Sequence, residues 1–409
     1  MRISSLSIYG NATSQLNSLQ SALARTQMQL STERRILTPA DDPVASARVL
    51  EVSQTKEMNL QFATNRASAR SSLTTVEGAL QNAGNLLQDI QELAVTAGNG
   101  SMLTKDRQLL ATELEGRLAD LLGVANSTDG AGGYLFSGYM ATTQPFTTTP
   151  GGADYKGDQG QRQLQVAASR RMPLSASGSA VFENNPTGNG NFQTQAAAAN
   201  TGAAIISSGS VVDRVQADAG RDYKLTFAVT GTPAVTTYSV VDTTTGTDVA
   251  VPGMTAQAYE AGKAITFGGL SFDIKGQPAD GDNFTAKPSE KQSVFTTVTN
   301  LIAALRAPAD GSAGKAALTN NIATALDNLK SSHDNVLTVQ ASVGAHMKEL
   351  DYLDSAGDDL DIQYAATLSD LQDLDMVKAI SDFSQQQMTL QAAQMSFKTM
   401  SGLSLFNYL

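Results

Sequence analysis

Residues 71–97 read SSLTTVEGALQNAGNLLQDIQELAVTA, and within them Leu73, Leu80, Leu87 and Ala94 recur every seven residues beside Val76, Ala83, Ile90 and Ala97. Two apolar columns at that spacing form a narrow seam on one side of a helix, the pattern that winds helices against one another. The pattern returns toward the other end of the chain. There Ile322, Leu329, Val336, Val343 and Leu350 repeat every seven residues, interleaved with Leu326, His333, Gln340 and Met347. A first helix over residues 44–97 is about 80 Å long at 1.5 Å per residue, so it needs a partner along its length.

Proline shows where such helices can run. Pro39 and Pro43 stand near the start, the others fall between Pro145 and Pro308, and residues 44–144 and 309–409 contain none. Because proline lacks the N–H and clashes with the preceding turn, blocks without it read as helical. The middle holds more than half of the 34 glycines and most of the Thr-rich runs, as strands joined by turns require. Runs beginning at Tyr223, Thr237 and Ala264 read as strands, with Gly268-Gly269 as a hairpin turn. Residues 187–210, poor in large apolar side chains, read as loop or weakly ordered chain.

The expected fold is therefore α+β: a long antiparallel helical bundle or coiled coil built from both termini, with an inserted β-rich domain. The expected segments are 1–42, 43–144, 145–288, 289–365 and 366–409. Asp42 is placed to cap the first long helix with Pro43 in its first turn, and Asn99-Gly100 suits its end. Thr104 is placed to cap a second helix carrying Leu110, Leu114, Leu118, Leu121 and Ala125 on one face. Ser289 and Gln292 form a capping-box pair ahead of Val294, Val298, Leu301 and Leu305.

The two ends each carry half a seam. Leu16, Leu23, Leu30 and Leu37 form one column with polar companions at Thr26 and Glu33. Met376, Phe383, Leu390 and Phe397 form another, with Gln387 and Gln394 following Ile380 in the companion column. So narrow a stripe buries little surface alone, and packing has to supply the stability. The arms are expected to order when paired with each other and with neighbouring subunits, as in a polymer-forming protein. A monomeric bundle with both helices folded back remains the ordinary alternative.

Composition excludes much chemistry. The 409 residues contain no cysteine, which removes disulfides, thiolate metal sites and cysteine nucleophiles. A net charge of -11 repels nucleic acid and anionic membranes, so neither is an expected partner. No run approaches the roughly 18 apolar residues of a membrane span, and the first thirty residues lack a secretory signal's apolar core. With only His333 and His346, a multi-histidine site is hard to build. His333 reads as a polar seam residue and His346 as a partly exposed helix residue. Asp351, Asp354, Asp358, Asp359 and Asp361 miss the calcium-loop spacing and read as a solvated helix end or turn. Asp280, Asp282 and Asn283 around Gly281 read as turn formers, and Asp41 and Asp42 as caps. Gly130, Gly132, Gly133 and Gly138 read as the turn where the chain leaves the helices. Tyr134, Phe136 and Tyr139 beside them are expected to anchor the middle domain. No catalytic, cofactor or metal residue is expected.

Several stretches, in order, resemble the flagellin superfamily and within it the hook-associated protein type 3 family. They are LTPADDPVASA from Leu37, QELAVTAGNG from Gln91, DRQLLATEL from Asp106, GGYLFSGY from Gly132 and the ending LSLFNYL from Leu403. The Asp41-Asp42-Pro43-Val44-Ala45 run and the Phe406-Asn407-Tyr408-Leu409 tail depart from flagellin itself and favour the junction family. The resemblance implies a non-enzymatic structural subunit with terminal arms in an inner tube and the β-rich domain facing outward. It implies an extracellular place at the hook-filament junction. The implied partners are flagellin, hook-associated protein type 1 and copies of the chain in a ring. It also implies export without a cleaved signal peptide, through the flagellar type III apparatus with a dedicated chaperone. Leu16, Leu23, Leu30, Phe383, Leu390 and Phe397 are the expected subunit-interface residues, completed by Leu403, Leu405, Phe406 and Leu409. A minor flagellin, or a surface adhesin or carbohydrate-binding module using the Thr-rich middle, are the competing readings.

Overall fold

Asp42 begins the first long helix as its residue type predicts: its Oδ1 accepts from the Ala45 N–H at 3.0 Å, and the helix runs over Pro43–Ala97. The computed structural model describes residues 5–402 apart from Ser101, Ala131 and Asp218. In chain order the helices are α1 (Ser5–Thr32), α2 (Pro43–Ala97), α3 (Thr104–Ala125), the single turn α4 (Arg214–Ala217), α5 (Val294–Arg306), α6 (Gly311–Gln372) and α7 (Met376–Gly402). All named strands lie between α3 and α5. The chain forms two compact units, Met1–Thr64 with Tyr352–Leu409, and Asn65–Asp351.

In the Asn65–Asp351 unit both seams are buried. Leu73, Val76, Leu80, Ala83, Leu87, Ile90, Ala94 and Ala97 of α2, and Ile322, Leu329, Val336, Val343 and Leu350 of α6, all lie in the core. The helices run antiparallel. A Cβ on Gly98 would stand 3.9 Å from Ile322 Cγ2 and one on Gly84 3.9 Å from His333 Nε2, while Arg70 pairs with Asp351 at 2.6 Å. His333 thus occupies a half-buried seam position opposite a glycine.

Two caps differ from expectation. Leu103 precedes α3 without a side-chain cap, and Thr104 is its first residue, where its Oγ1 accepts from Arg107 instead. Before α5 the cap is Ser293, whose hydroxyl accepts from the Phe295 N–H, while Ser289 donates to Thr187 O. Ser293 wins because it directly precedes the first helical residue, the position from which a side-chain oxygen reaches the free N–H groups.

A second core fills the space beside α3 and α5. Phe295 of α5 stacks on Phe146 and Phe182 at centroid distances of 5.0 and 5.7 Å, and Phe136 meets Phe182 edge-on at 5.4 Å. Of the three aromatics expected to anchor this region, only Phe136 is fully buried; Tyr134 is half-buried and Tyr139 exposed. Asp158 organises the adjoining loop by accepting from the N–H groups of Tyr139, Met140 and Gly160. The Tyr139 bond, the largest influence, and that of Gly160 hold its carboxyl below the usual range against the opposing effect of burial.

The strand-rich part pairs two sheets over one core. The larger runs Val249–Ala250, Val235–Asp242, Tyr223–Thr230, Asn283–Pro288, Phe192–Ala196, with Gln257–Ala258 also on Val235–Asp242. The smaller joins Ala264–Phe267, Leu270–Lys275 and Ile205–Ile206, with Ser210–Val211 on Leu270–Lys275. Phe192, Leu225, Phe227, Phe272, Ile274 and Phe284 lie at its centre. The predicted hairpin turn is present, with Gly268 and Gly269 at φ of 53° and 79°, a conformation that needs glycine at both places. Residues 187–210 correct the sequence reading: they supply the strands Phe192–Ala196 and Ile205–Ile206 and the start of Ser210–Val211. Phe192–Ala196 is held by five paired positions against Asn283–Pro288 rather than by its own apolar content.

This part is tied to α6 by amide side chains. Asn320 accepts from Ile206 N and donates to Ala204 O, and Asn328 accepts from Gly188 N. Asn335 donates to Ala180 O and Val181 O. Asp282 is likewise a buried backbone organiser, accepting from Thr201, Gly202 and Ala279, consistent with a turn-forming role.

Candidate subunit-docking surface

In the other unit the two half-seams meet each other. α1 packs on α7, with Tyr9 edge-on to Phe397 at 6.1 Å and Thr26 Oγ1 donating to Gln386 Oε1 at 3.0 Å. Leu16, Leu23 and Leu30 are half-buried, as are Phe383 and Phe397, and Leu390 is buried. Those six interface candidates are thus brought onto one helix pair. Leu403, Leu405, Phe406 and Leu409 lie outside the described residues.

The polar companions behave differently on the two helices. Thr26, read from the sequence as a polar companion that leaves the seam half complete, is buried in the contact. On α7 the companion column is Ala379, Gln386 and Ala393, not Gln387 and Gln394, which face solvent. Small and amide side chains let the helices approach where a second leucine column was absent from the sequence.

The two connectors are stitched together. Glu33 turns the chain out of α1 with φ of 57°, and its carbonyl accepts from Leu374 N at 3.0 Å. The backbones of Arg34 and Asp373 form an antiparallel bridge, Arg35 N donates to Gln372 O, and the Arg35 guanidinium reaches Leu371 O at 2.6 Å. Asp41 accepts from Leu37 N and Thr38 N and pairs with Arg25 at 2.7 Å. The Thr38 bond, then Leu37 and the Arg25 charge, hold its carboxyl below the ordinary value although burial opposes them. Asp41 and Asp42 are therefore structural. Along the start of α2, Asn59 donates to the carbonyl of Gly357 in α6, and Lys56 pairs with Asp361 at 3.7 Å.

The acidic cluster of α6 is a correction. Asp351 to Asp361 lie inside one continuous helix, not at an end or turn, and Gly357 among them is helical and buried. No group able to hold a metal occurs among the described residues.

Sequence columns alone did not expose the main feature of this unit, its wet apolar surface. Among its described residues the buried apolar side chains are Ala45, Ala379 and Leu390, whereas the other unit holds the rest of the core. Yet most of the large apolar residues left exposed belong here. They include Val44 and Leu50 of α2, Tyr352 and Ile362 of α6, and Val377, Ile380, Met388 and Met395 of α7, with Val377 82% exposed. Large apolar side chains left in water in such number point to a surface that another chain covers. The signal for it was the excess of apolar residues outside the seven-residue columns.

Paired terminal helices with an unburied apolar face, followed by long seamed helices and an inserted strand-rich part, define a flagellin-type structural subunit. The model of the bacterial flagellin N-terminal helical region matches residues 3–141. The chain is 29% identical to flagellar hook-associated protein 3 of Salmonella typhimurium over 99% of both chains. It is also similar to the crystal structure of flagellar hook-associated protein 3 from Legionella pneumophila. That match has 33% identity and a TM-score of 0.74, covering 79% of this chain and 98% of the other. The FlgL structure from Xanthomonas campestris follows with 29% identity and a TM-score of 0.69, covering 78% and 99%. The chain belongs to the flagellin superfamily, in its hook-associated protein 3 family. Its relatives are structural proteins of the flagellum, not enzymes, and no helix among the described residues is long and apolar enough to cross a membrane.

Proposed function

We propose that the protein is the adaptor of the hook-filament junction, joining hook-associated protein type 1 on one side to flagellin on the other in a ring of identical copies. The observation that carries this reading is the exposed apolar surface of the terminal-helix unit, which a lone subunit leaves in water. Leu16, Leu23, Leu30, Phe383, Leu390 and Phe397 act at the subunit interface by setting the pairing of α1 with α7 that presents this surface, and Leu403, Leu405, Phe406 and Leu409 complete that interface. Residues 1–42 and 366–409 are the inner-tube arms, 43–144 and 289–365 the helical domain, and 145–288 the outer domain. Export proceeds unfolded through the type III apparatus, with a chaperone on the C-terminal helix. The flagellar names of the relatives support the setting.

Deleting the gene and comparing cells by electron microscopy tests the role. Bare hooks with unpolymerised flagellin in the medium are expected. Normal filaments would refute the adaptor role and favour an accessory subunit.

A further inference from the structure

Beyond assembly, an unneutralised cation lies within the helical body of the Asn65–Asp351 unit. Arg107, in the first turns of α3, is only 5% exposed. Its Nη2 donates to Thr104 Oγ1 at 3.1 Å, its Nε–H has no acceptor, and no carboxylate among the described residues pairs with it. A buried guanidinium without a counter-ion is strongly unfavourable in a medium of low polarity. Arg107 lines a cleft of about 310 Å³.

Two helices begin at that cleft. Leu103 and Thr104 bring the start of α3 to it, without a side-chain cap, and Asp310 and Gly311 bring the start of α6. Each helix start carries about half a positive elementary charge and unpaired N–H groups directed along its axis. Exposed Lys315, one turn into α6, adds a second full positive charge, and Asp310 is the one acidic residue on the lining. The balance is positive in a chain whose net charge is -11. Two helix starts and the side chains of Arg107 and Lys315 thus line one cleft from separate elements, a donor-rich lining that suits an anion with several oxygens.

We propose that this cleft binds a small tetrahedral oxyanion of the phosphate or sulfate type, with Arg107 and Lys315 as its charged ligands and the starts of α3 and α6 as its dipolar walls. The ion supplies the counter-charge that Arg107 lacks and ties α3 to α6 at the end of α2.

Thermal unfolding of the full chain tests this, with sodium phosphate or sulfate replacing sodium chloride at constant ionic strength. At saturation the wild-type melting temperature is expected to rise by about 3 °C. Arg107→Met is expected to show none of that increment, and in chloride alone to be at least as stable as wild type because the unpaired charge is gone. Calorimetric titration with inorganic phosphate gives the second readout. Lys315→Ala, a substitution at an exposed position, is expected to weaken binding several-fold with the fold intact, so the test stands even if Arg107→Met does not fold. An equal rise in wild type and Arg107→Met would overturn the proposal, as would phosphate heats that Lys315→Ala leaves unchanged.

Discussion

Replacing Leu390 by alanine should loosen the terminal-helix unit and leave the Asn65–Asp351 unit intact. Leu390 is the one large apolar side chain buried among the described residues of the terminal-helix unit, at 9% exposed, on the face of α7 that meets α1. Large-to-small changes of a buried leucine cost about 2–5 kcal/mol, and the cost falls where the surroundings can close over the gap. A contact between two helices, flanked by the half-buried Phe383 and Phe397, collapses more readily than a core enclosed on all sides, so the expected cost is about 2 kcal/mol. That corresponds to about a 30-fold rise in the opening equilibrium of the α1–α7 pair. Native-state hydrogen exchange read by mass spectrometry on peptides of α1, α7 and residues 73–97 measures it. Protection should fall by that factor in both terminal helices and stay unchanged over 73–97, and assembly with neighbouring subunits should weaken. Unchanged exchange in α1 would refute the pairing argument. An equal loss over 73–97 would refute the separation of the two units.

Three further outcomes follow from named contacts. Phe295→Ala removes the centre of the cluster with Phe146 and Phe182 and should cost about 3–5 kcal/mol, read as a lowered urea midpoint and lost near-ultraviolet dichroism. Asp42→Ala removes the acceptor for Ala45 N and should cost about 1 kcal/mol, confined to faster amide exchange in the first turn of α2. Asp158 has a carboxyl held below its unfolded value near 3.8, so its contribution is present above that pH and is lost as pH falls through the lower folded value. Tyr139 and Met140 amides should therefore lose protection only below about pH 4, and Asp158→Asn should flatten that dependence; a transition nearer neutrality would contradict the assignment.

The helices were legible because their signal is strict and local. Every seam residue named between Leu73 and Ala97 is buried, and an unbroken seven-residue repeat has few other ways to hide its apolar side. Phe192–Ala196 was not legible, since Phe-Gln-Thr-Gln-Ala has a single large apolar residue and becomes a strand through partners some ninety residues away. The companion column of α7 failed for a related reason: Ala379, Gln386 and Ala393 are inconspicuous residues whose burial depends on what α1 brings opposite them. The aspartates from Asp351 to Asp361 read as a helix end or turn because their charge hid the continuity of the helix, which runs on to Gln372. Arg107 could not have been singled out from sequence, because an arginine in a first helical turn ordinarily reaches water.

The stitched connectors also set an order of events. Arg35 and Leu371 are joined across 336 residues of sequence, and Thr26 and Gln386 across 360. Contacts so distant close the largest loops in the chain, and none of them exists until nearly all of the polypeptide is present. The strand-rich part, whose strand pairings all fall between residues 146 and 292, can acquire structure well before that. A chain emerging from its first residue to its last therefore carries α1 unmatched for almost its whole length, and the apolar surface around it is completed by the final segment to arrive. The pairing of α1 with α7 is thus the last long-range contact such a chain can make.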